Sequence, residues 1–324
     1  MDLTSKARAL GLASEAAATL SSLADFPDPP PAPLPGREAA DELLDAAAVE
    51  GADRADLRAL WPDQDWPAAA RWLVDACYAR ILADVGRPGW VDWPDVISAD
   101  DPRVRCAPIY AFLATVDVLR ERHRSRGVPE DVTAATLADL GRHVAKTRRM
   151  YGRVGLDLPV WIALHYRGSL YEVGRLQYET AYLDSGDFPE LVGVVDERLV
   201  ARLHIPAGEP LSADAVDASL ARAGEVLSAV TGERVRVAVC TSWLLDPQLR
   251  DYLPPESNIR AFQDRFVLSD HEGPGDADMF RFVFECPEVA PDRVTPVTRL
   301  QHAVLDLLKR GGSWRVRTGW LRLP

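Results

Sequence analysis

The chain has 324 residues and a mass of 35.6 kDa, long enough to bury a large core and to divide into two domains. With 47% hydrophobic and 27% charged residues, its composition is that of a globular protein. A formal net charge of −12 and a pI near 5.0 argue against a general nucleic-acid binder, whose field would be basic.

The first half reads as helical. Ala-rich segments before Pro27 and from Arg37 to Glu50 are separated by FPDPPPAPLPG, which cannot continue a helix because proline lacks the amide proton. Asp65 is placed to cap the next helix, with Pro67 in its first turn. Apolar stripes then run through Ala69, Trp72, Leu73, Ala76, Cys77 and Ile81, through Ile109, Phe112, Leu113, Val116 and Leu119, and through Val132, Thr136, Leu137, Leu140 and Val144. Trp90 and Trp93 of WVDW suit core packing better than a pocket. The apolar stretch YGRVGLDLPVWIALHYRG hides the domain boundary, which is expected near residue 160, giving domains 1–160 and 161–324.

The second half changes period. SLYEVGRLQYETAYL (169–183) alternates as a half-buried strand, with Arg175, Gln177 and Glu179 on one face. DSGD marks a turn, and ELVGVVDERLVARLHI reads as a hairpin turning near Asp196 and Glu197. Asp214 to Val230 is an amphipathic helix with Ser212 as its cap. VRVAVC has the β-branched run of a central strand. Short helices around PQLRDYL and SNIRAFQ follow, then strands at FVLSD and MFRFVFE. The helix TRLQHAVLDLLKR stops at Gly311 and Gly312, and SWRVRTGWLRL is a terminal strand. The expected class is α+β: a helical N-terminal domain packed on a mixed-sheet C-terminal domain.

Cys77, Cys106, Cys240 and Cys286 lie in or beside apolar segments without CxxC spacing, which favours buried thiols. The six histidines show no HxH, HxxxH or HExxH spacing, so no metal is expected. GxSxG, GxxxxGK[ST] and GxGxxG are also absent, which disfavours standard hydrolases, P-loop enzymes and Rossmann dehydrogenases. No apolar run approaches the roughly eighteen residues of a membrane span, and the first segment lacks the apolar centre of an export signal. A cytoplasmic protein is expected.

Chemistry concentrates in few places. The helix entry HIPAGEPLSADAV could receive an anion at Gly208, Ser212 and Ala213; an ordinary capped helix start is the alternative. Glu179, near the middle of a sheet, is a candidate base, against a salt bridge to Arg175 or Arg202. His204, at a strand end, is a second candidate, since its neutral form suits proton transfer. Ser242 marks the end of the VRVAVC strand, and Cys240 before it reads as core. Asp246 is a cap for PQLRDYL, on which Tyr252 could protonate a leaving group.

GRLQYE, LHIP, CTSWLLDPQL, SNIRAFQDRF, DMFRFVF and GGSWRVRTGW together resemble the GNAT acyltransferase fold. The resemblance is to the C-terminal domain of two-domain actinobacterial acyltransferases with a helical N-terminal domain. It implies N-acyl transfer from a coenzyme A thioester, used as a cosubstrate, to the amine of a small molecule. It also places coenzyme A near Ile205, Gly208, Ser212 and Ala213, with Asn258 and Gln263 in a second motif. Two departures stand out: AGEP replaces the family's glycine motif, and Gln263 falls where the family carries the tyrosine that protonates the thiol, a role Tyr252 could take. Two alternatives therefore stay open. One is a transferase of this fold with a carrier-protein or aminoacyl-tRNA donor; the other is a non-catalytic, degenerate domain that binds a ligand or partner. Homodimerisation through the helical half is also open.

Overall fold

The computed structural model describes residues 2–183 and 186–324. It divides into two compact units, Met1–Tyr171 and Glu172–Pro324. In the first unit α1 (Leu3–Ala9) and α2 (Ser14–Thr19) precede the proline loop. After it come α3 (Ala40–Ala46), α4 (Gly51–Ala59), α5 (Ala68–Ala83), α6 (Pro102–Ala114), α7 (Val116–Ser125), α8 (Glu130–Tyr151) and α9 (Pro159–Tyr166). The division falls later than 160 because Ile162, Ala163 and Tyr166 of α9 belong to the helical core, and the helix packs on α6 and α8.

The expected apolar stripes form this core, with differences at their ends. Leu73, Cys77 and Ile81 of α5 are buried with Ile109, Phe112 and Leu113 of α6 and Leu140 and Val144 of α8. The stripe from Ile109 to Leu119 is not one helix: Thr115 leaves helical geometry (φ −98°, ψ 0°) and its hydroxyl donates to the Phe112 carbonyl. Asp65 does not cap α5, whose N-cap is Pro67 without a side-chain bond. Trp93 stacks on Phe112 at 5.2 Å, as core, whereas Trp90 is half exposed and tilts over Trp161. Gly141 allows α8 to approach the end of α3: its amide donates to the Ala47 carbonyl, and a Cβ there would lie 2.1 Å from the Ala48 carbonyl oxygen.

The polar groups of this core are tied together. Asp139, 2% exposed, accepts from Arg142 at 2.7 Å and from the Trp161 indole at 3.2 Å, and lies 3.1 Å from His165 Nε2. His123, 1% exposed, shares a hydrogen bond with the Thr133 hydroxyl at 3.0 Å. Burial, helped by Arg122, pushes its pKa down to about 4. The unfolded chain therefore takes up a proton near pH 6.5 that the folded chain refuses until about pH 4. Stability should fall as pH drops through that window, by up to roughly 3 kcal/mol from this residue. Urea midpoints at pH 7 and 4.5 check this: His123→Asn, which keeps a partner for Thr133, should lose less than the parent chain.

The second unit is one six-stranded sheet of order β1-β2-β3-β4-β6-β5. Its strands are β1 (Leu170–Val173), β2 (Leu176–Tyr182), β3 (Leu199–His204), β4 (Val237–Ser242), β5 (Val267–Pro274) and β6 (Arg315–Arg322). α10 (Ala213–Thr231) joins β3 to its parallel neighbour β4. The other helices are α11 (Asn258–Gln263), α12 (Asp276–Val283) and α13 (Arg299–Lys309). α10 covers one sheet face, where the Tyr178 and Ser219 hydroxyls meet at 3.0 Å.

Three strand expectations are corrected. The segment 169–183 is a hairpin rather than a single strand, because Gly174, at φ +65°, opens a two-residue turn with Arg175. Only the second half of ELVGVVDERLVARLHI is a strand; before it Pro189–Leu191 forms a single 3-10 turn and Val192 is exposed. The expected DSGD turn lies partly outside the described residues. MFRFVFE is helical: Met279 and Phe280 are buried while Phe282 faces out, and helical spacing brings Phe280 against Phe284. Its aromatic content suits a strand, but packing against α13 decides the outcome. The terminal helix and strand form as expected, with a Thr298–Gln301 capping box on α13.

Candidate active site

The antiparallel register of β2 and β3 sets Gln177 opposite His204 and Glu179 opposite Arg202. These four side chains share the sheet face turned away from α10. Glu179 is 1% exposed, and its Oε1 lies 3.2 Å from His204 Nε2 and 3.3 Å from the Arg202 guanidinium. The salt bridge to Arg202 thus exists, but it uses the oxygen that also faces the imidazole. Among the described residues, Glu179 Oε2 has no hydrogen-bond donor. Arg202 is held from its other side by Asp187 and lies over the Phe188 ring. Arg175 donates to the Pro206 and Pro210 carbonyls at 3.0 and 3.3 Å.

The His204 side chain is 18% exposed, the reachable member of the pair. A buried carboxylate beside one ring nitrogen favours the tautomer that leaves the other as acceptor. With the Nε2 proton toward Glu179, Nδ1 carries the lone pair. This arrangement can take a proton from a nucleophile.

Beside His204 the sheet opens. The parallel pairing of β3 with β4 covers Ala201↔Ala238 and Arg202↔Val239, although β3 runs on to His204 and β4 to Ser242. The other edge of β4 stays paired with β6 through Ser242↔Arg317. Past Arg202 and Val239, the facing edges of β3 and β4 carry backbone groups without a ladder, beside His204. Backbone groups of this kind need another partner.

The other expected residues fall into two groups. Ile205 is half-buried at the exit of β3, and Gly208 and Ala213 are exposed along the loop into α10. Ser212 occupies the N-cap position, but its side chain makes no capping bond. Arg175 ties this loop from one side; on the other, Arg265 donates to Asp217 at 2.7 Å and to the Ala213 carbonyl at 3.4 Å. Exposed first-turn amides between two guanidinium groups can receive an anion.

Members of the second group lie in structural contacts or, for Asn258, at the surface. The Ser242 hydroxyl accepts from the Leu244 amide. Tyr252 packs its ring against Trp314 at 5.8 Å within the apolar cluster of α12 and α13. Asn258 is exposed at the start of α11. Gln263 donates to the Leu244 and Asp246 carbonyls, so both its amide hydrogens are committed. Asp246 caps the next turn through the Gln248 amide and also accepts from the Arg315 amide at 2.7 Å. Cys240 is fully buried, and desolvation pushes its thiol far above the ordinary range, so it is core. Sequence reasoning treated Arg202 only as a rival to the base and gave Gln177 no role; the cross-strand row that joins them to His204 depends on register.

A mixed sheet of this order, whose parallel pair β3–β4 parts past Arg202 and Val239, has the architecture of the GNAT fold. The chain matches the N-acyltransferase N-terminal domain family over residues 38–168 and the GNAT-like C-terminal domain family over residues 170–321. Among solved structures it is similar to an acyltransferase in complex with decanoyl-CoA and teicoplanin, at 35% identity, a TM-score of 0.88 and the whole of both chains covered. It is equally similar, at 35% identity and 0.88 over the whole of both chains, to an acyltransferase with CoA and 10C-teicoplanin. An acyltransferase mutant in complex with octanoyl-CoA gives 35% and 0.87, again over the whole of both chains. No curated protein matches the chain. The chain belongs to the family of two-domain acyltransferases with an N-acyltransferase N-terminal domain and a GNAT-like C-terminal domain.

Proposed function

We propose that this chain is an acyl-CoA-dependent N-acyltransferase in which His204 removes the proton from the attacking amine and Glu179 holds the imidazole for that task. The observation that carries the reading is the early end of the β3–β4 pairing beside the Glu179–His204 contact. A pantetheine arm can bond there to both strand edges, with the amides of exposed Gly208 and Ala213 toward the pyrophosphate. The residues present fit a CoA thioester as a cosubstrate. Its acceptor is a small molecule, and the relatives bound to teicoplanin support a teicoplanin-like one carrying an amine.

The amine nitrogen uses its lone pair to form the bond to the thioester carbon, and His204 takes the N–H proton. Backbone amides where β3 and β4 part can hold the developing oxyanion. The carbon–sulfur bond then breaks with its electron pair on sulfur, and the thiolate recovers the proton. Glu179 is too buried to meet the substrate and acts through His204. Neither Ser242 nor Tyr252 has a described contact with the pair; the imidazolium itself supplies the acid, so Gln263 in place of a tyrosine does not remove the leaving-group donor.

Among the described residues no helix is long and apolar enough to cross a membrane. We place the enzyme in the cytoplasm, where acyl-CoA is made and buried thiols stay reduced. Decanoyl-CoA and teicoplanin, incubated with the chain, should give acceptor-dependent release of CoA and an amide product. Turnover only with an acyl-carrier protein or an aminoacyl-tRNA would reject the donor, and binding without turnover would reject the enzyme.

A further inference from the structure

Resting on the acyl-transfer reading with His204 as base, we propose that the Thr241 hydroxyl donates a hydrogen bond to the oxyanion of the tetrahedral intermediate, oriented by Thr318 behind it. The placement follows from register. Arg202 pairs with Val239, and side chains alternate along a strand. His204 and Thr241, each two residues further on, therefore share the sheet face of Glu179. Val239 confirms the face, since it packs with Ala181 and Val200. The β3–β4 pairing has ended there, so the two side chains flank the parting, one from each strand. Thr241 is exposed, and β4 is still regular at this point because Thr241 pairs with Thr318 of β6. Ser242, next along the chain, turns to the other face and caps the Leu244 amide.

The two threonine hydroxyls lie 2.8 Å apart, and one donates to the other. Thr318 is 1% exposed, and Thr241 is its hydroxyl's one hydrogen-bond partner among the described residues. Were Thr318 the acceptor, its own hydrogen would be buried without a partner. Thr318 therefore donates, Thr241 accepts, and the Thr241 hydrogen is left for a ligand. A hydroxyl that accepts one hydrogen bond is the stronger donor of the next. In the reaction the amine nitrogen bonds to the thioester carbon, and the carbonyl π pair moves onto oxygen. Thr241 donates a hydrogen bond to that oxygen and keeps its proton, alongside the backbone amides. When the C=O bond re-forms, the carbon–sulfur bond breaks with its pair on sulfur. The contact is strongest in the transition state, so it acts on kcat rather than on acyl-CoA binding.

The test is steady-state kinetics with decanoyl-CoA and teicoplanin, with urea midpoints taken alongside. Thr241→Val keeps the shape and removes the hydroxyl; kcat should fall about 10²-fold with KM for acyl-CoA unchanged. Thr241→Ser should keep most of the rate. Thr318→Val should lower kcat less, and should add nothing to Thr241→Val in the double variant, because it acts through Thr241. Should Thr241→Val fail to fold, Thr241→Ala carries the same expectation. A threonine pair that only braces β4 on β6 would move the midpoint and leave kcat in place, and that result overturns the proposal. His204→Ala separates the two readings. If it is inactive while Thr241→Val keeps the full rate, only the role of Thr241 falls. Full activity in His204→Ala removes the base, and this inference with it.

Discussion

His204→Ala is expected to lower kcat for acyl transfer by roughly 10²- to 10⁴-fold while the chain stays folded, the usual effect of losing a general base. The side chain is part-exposed, so truncation leaves no large cavity. Glu179→Gln should have a smaller effect, about 10- to 100-fold, because it acts through the imidazole. It keeps the shape but replaces an anion that faces both His204 and Arg202 with a neutral amide. KM for acyl-CoA should change little in either variant, since both residues are assigned to the acceptor's proton and not to the loop from Gly208 to Ala213. Steady-state kinetics at saturating acyl-CoA give the answer. Wild-type rates in both variants would place the chemistry elsewhere.

Trp314→Ala should destabilise the second unit by about 3–5 kcal/mol, as truncation of a fully buried indole does. Trp314 is 0% exposed at the entry to β6, surrounded by Leu249, Met279, Phe280, Val304 and Leu305. Its indole N–H donates to the Val304 carbonyl at 3.1 Å, and its amide donates to Asp276 at 2.7 Å. Only the first of these bonds is lost in the variant, so most of the effect is cavity and lost burial. The urea midpoint measures it; a loss below about 1 kcal/mol would mean that this cluster is loosely packed.

Long apolar periods were the legible part of the fold. The α5, α8, α10 and α13 stripes and the β4 run of valines carry enough repeats to settle the element and its buried face. Short aromatic runs were ambiguous, and Met279–Phe284 became helix because its partners across the cluster required that face. The turn at Gly174 was missed because the alternation continues through it, with residues of both strands buried on both faces.

The site was legible at single residues and not in its connections. Glu179 and His204 were visible as polar groups in apolar strands, and the structure brings them within 3.2 Å. Their pairing depends on the β2–β3 register, which the two strand sequences do not specify. Ser242, Tyr252 and Gln263 stood out for the same chemical reason, yet each is occupied by a cap, a ring contact or two carbonyls. Polar character marks a residue that needs a partner, and only the fold shows whether the chain supplies it.

A crystal structure of this chain with a non-cleavable thioether analogue of decanoyl-CoA would test the mechanism most directly. The expected result is a pantetheine arm bonded to the strand edges past Arg202 and Val239, with the carbon standing for the thioester carbonyl carbon near the exposed side of His204. A ligand bound elsewhere, with β3 and β4 closed on one another up to His204 and Ser242, would contradict it.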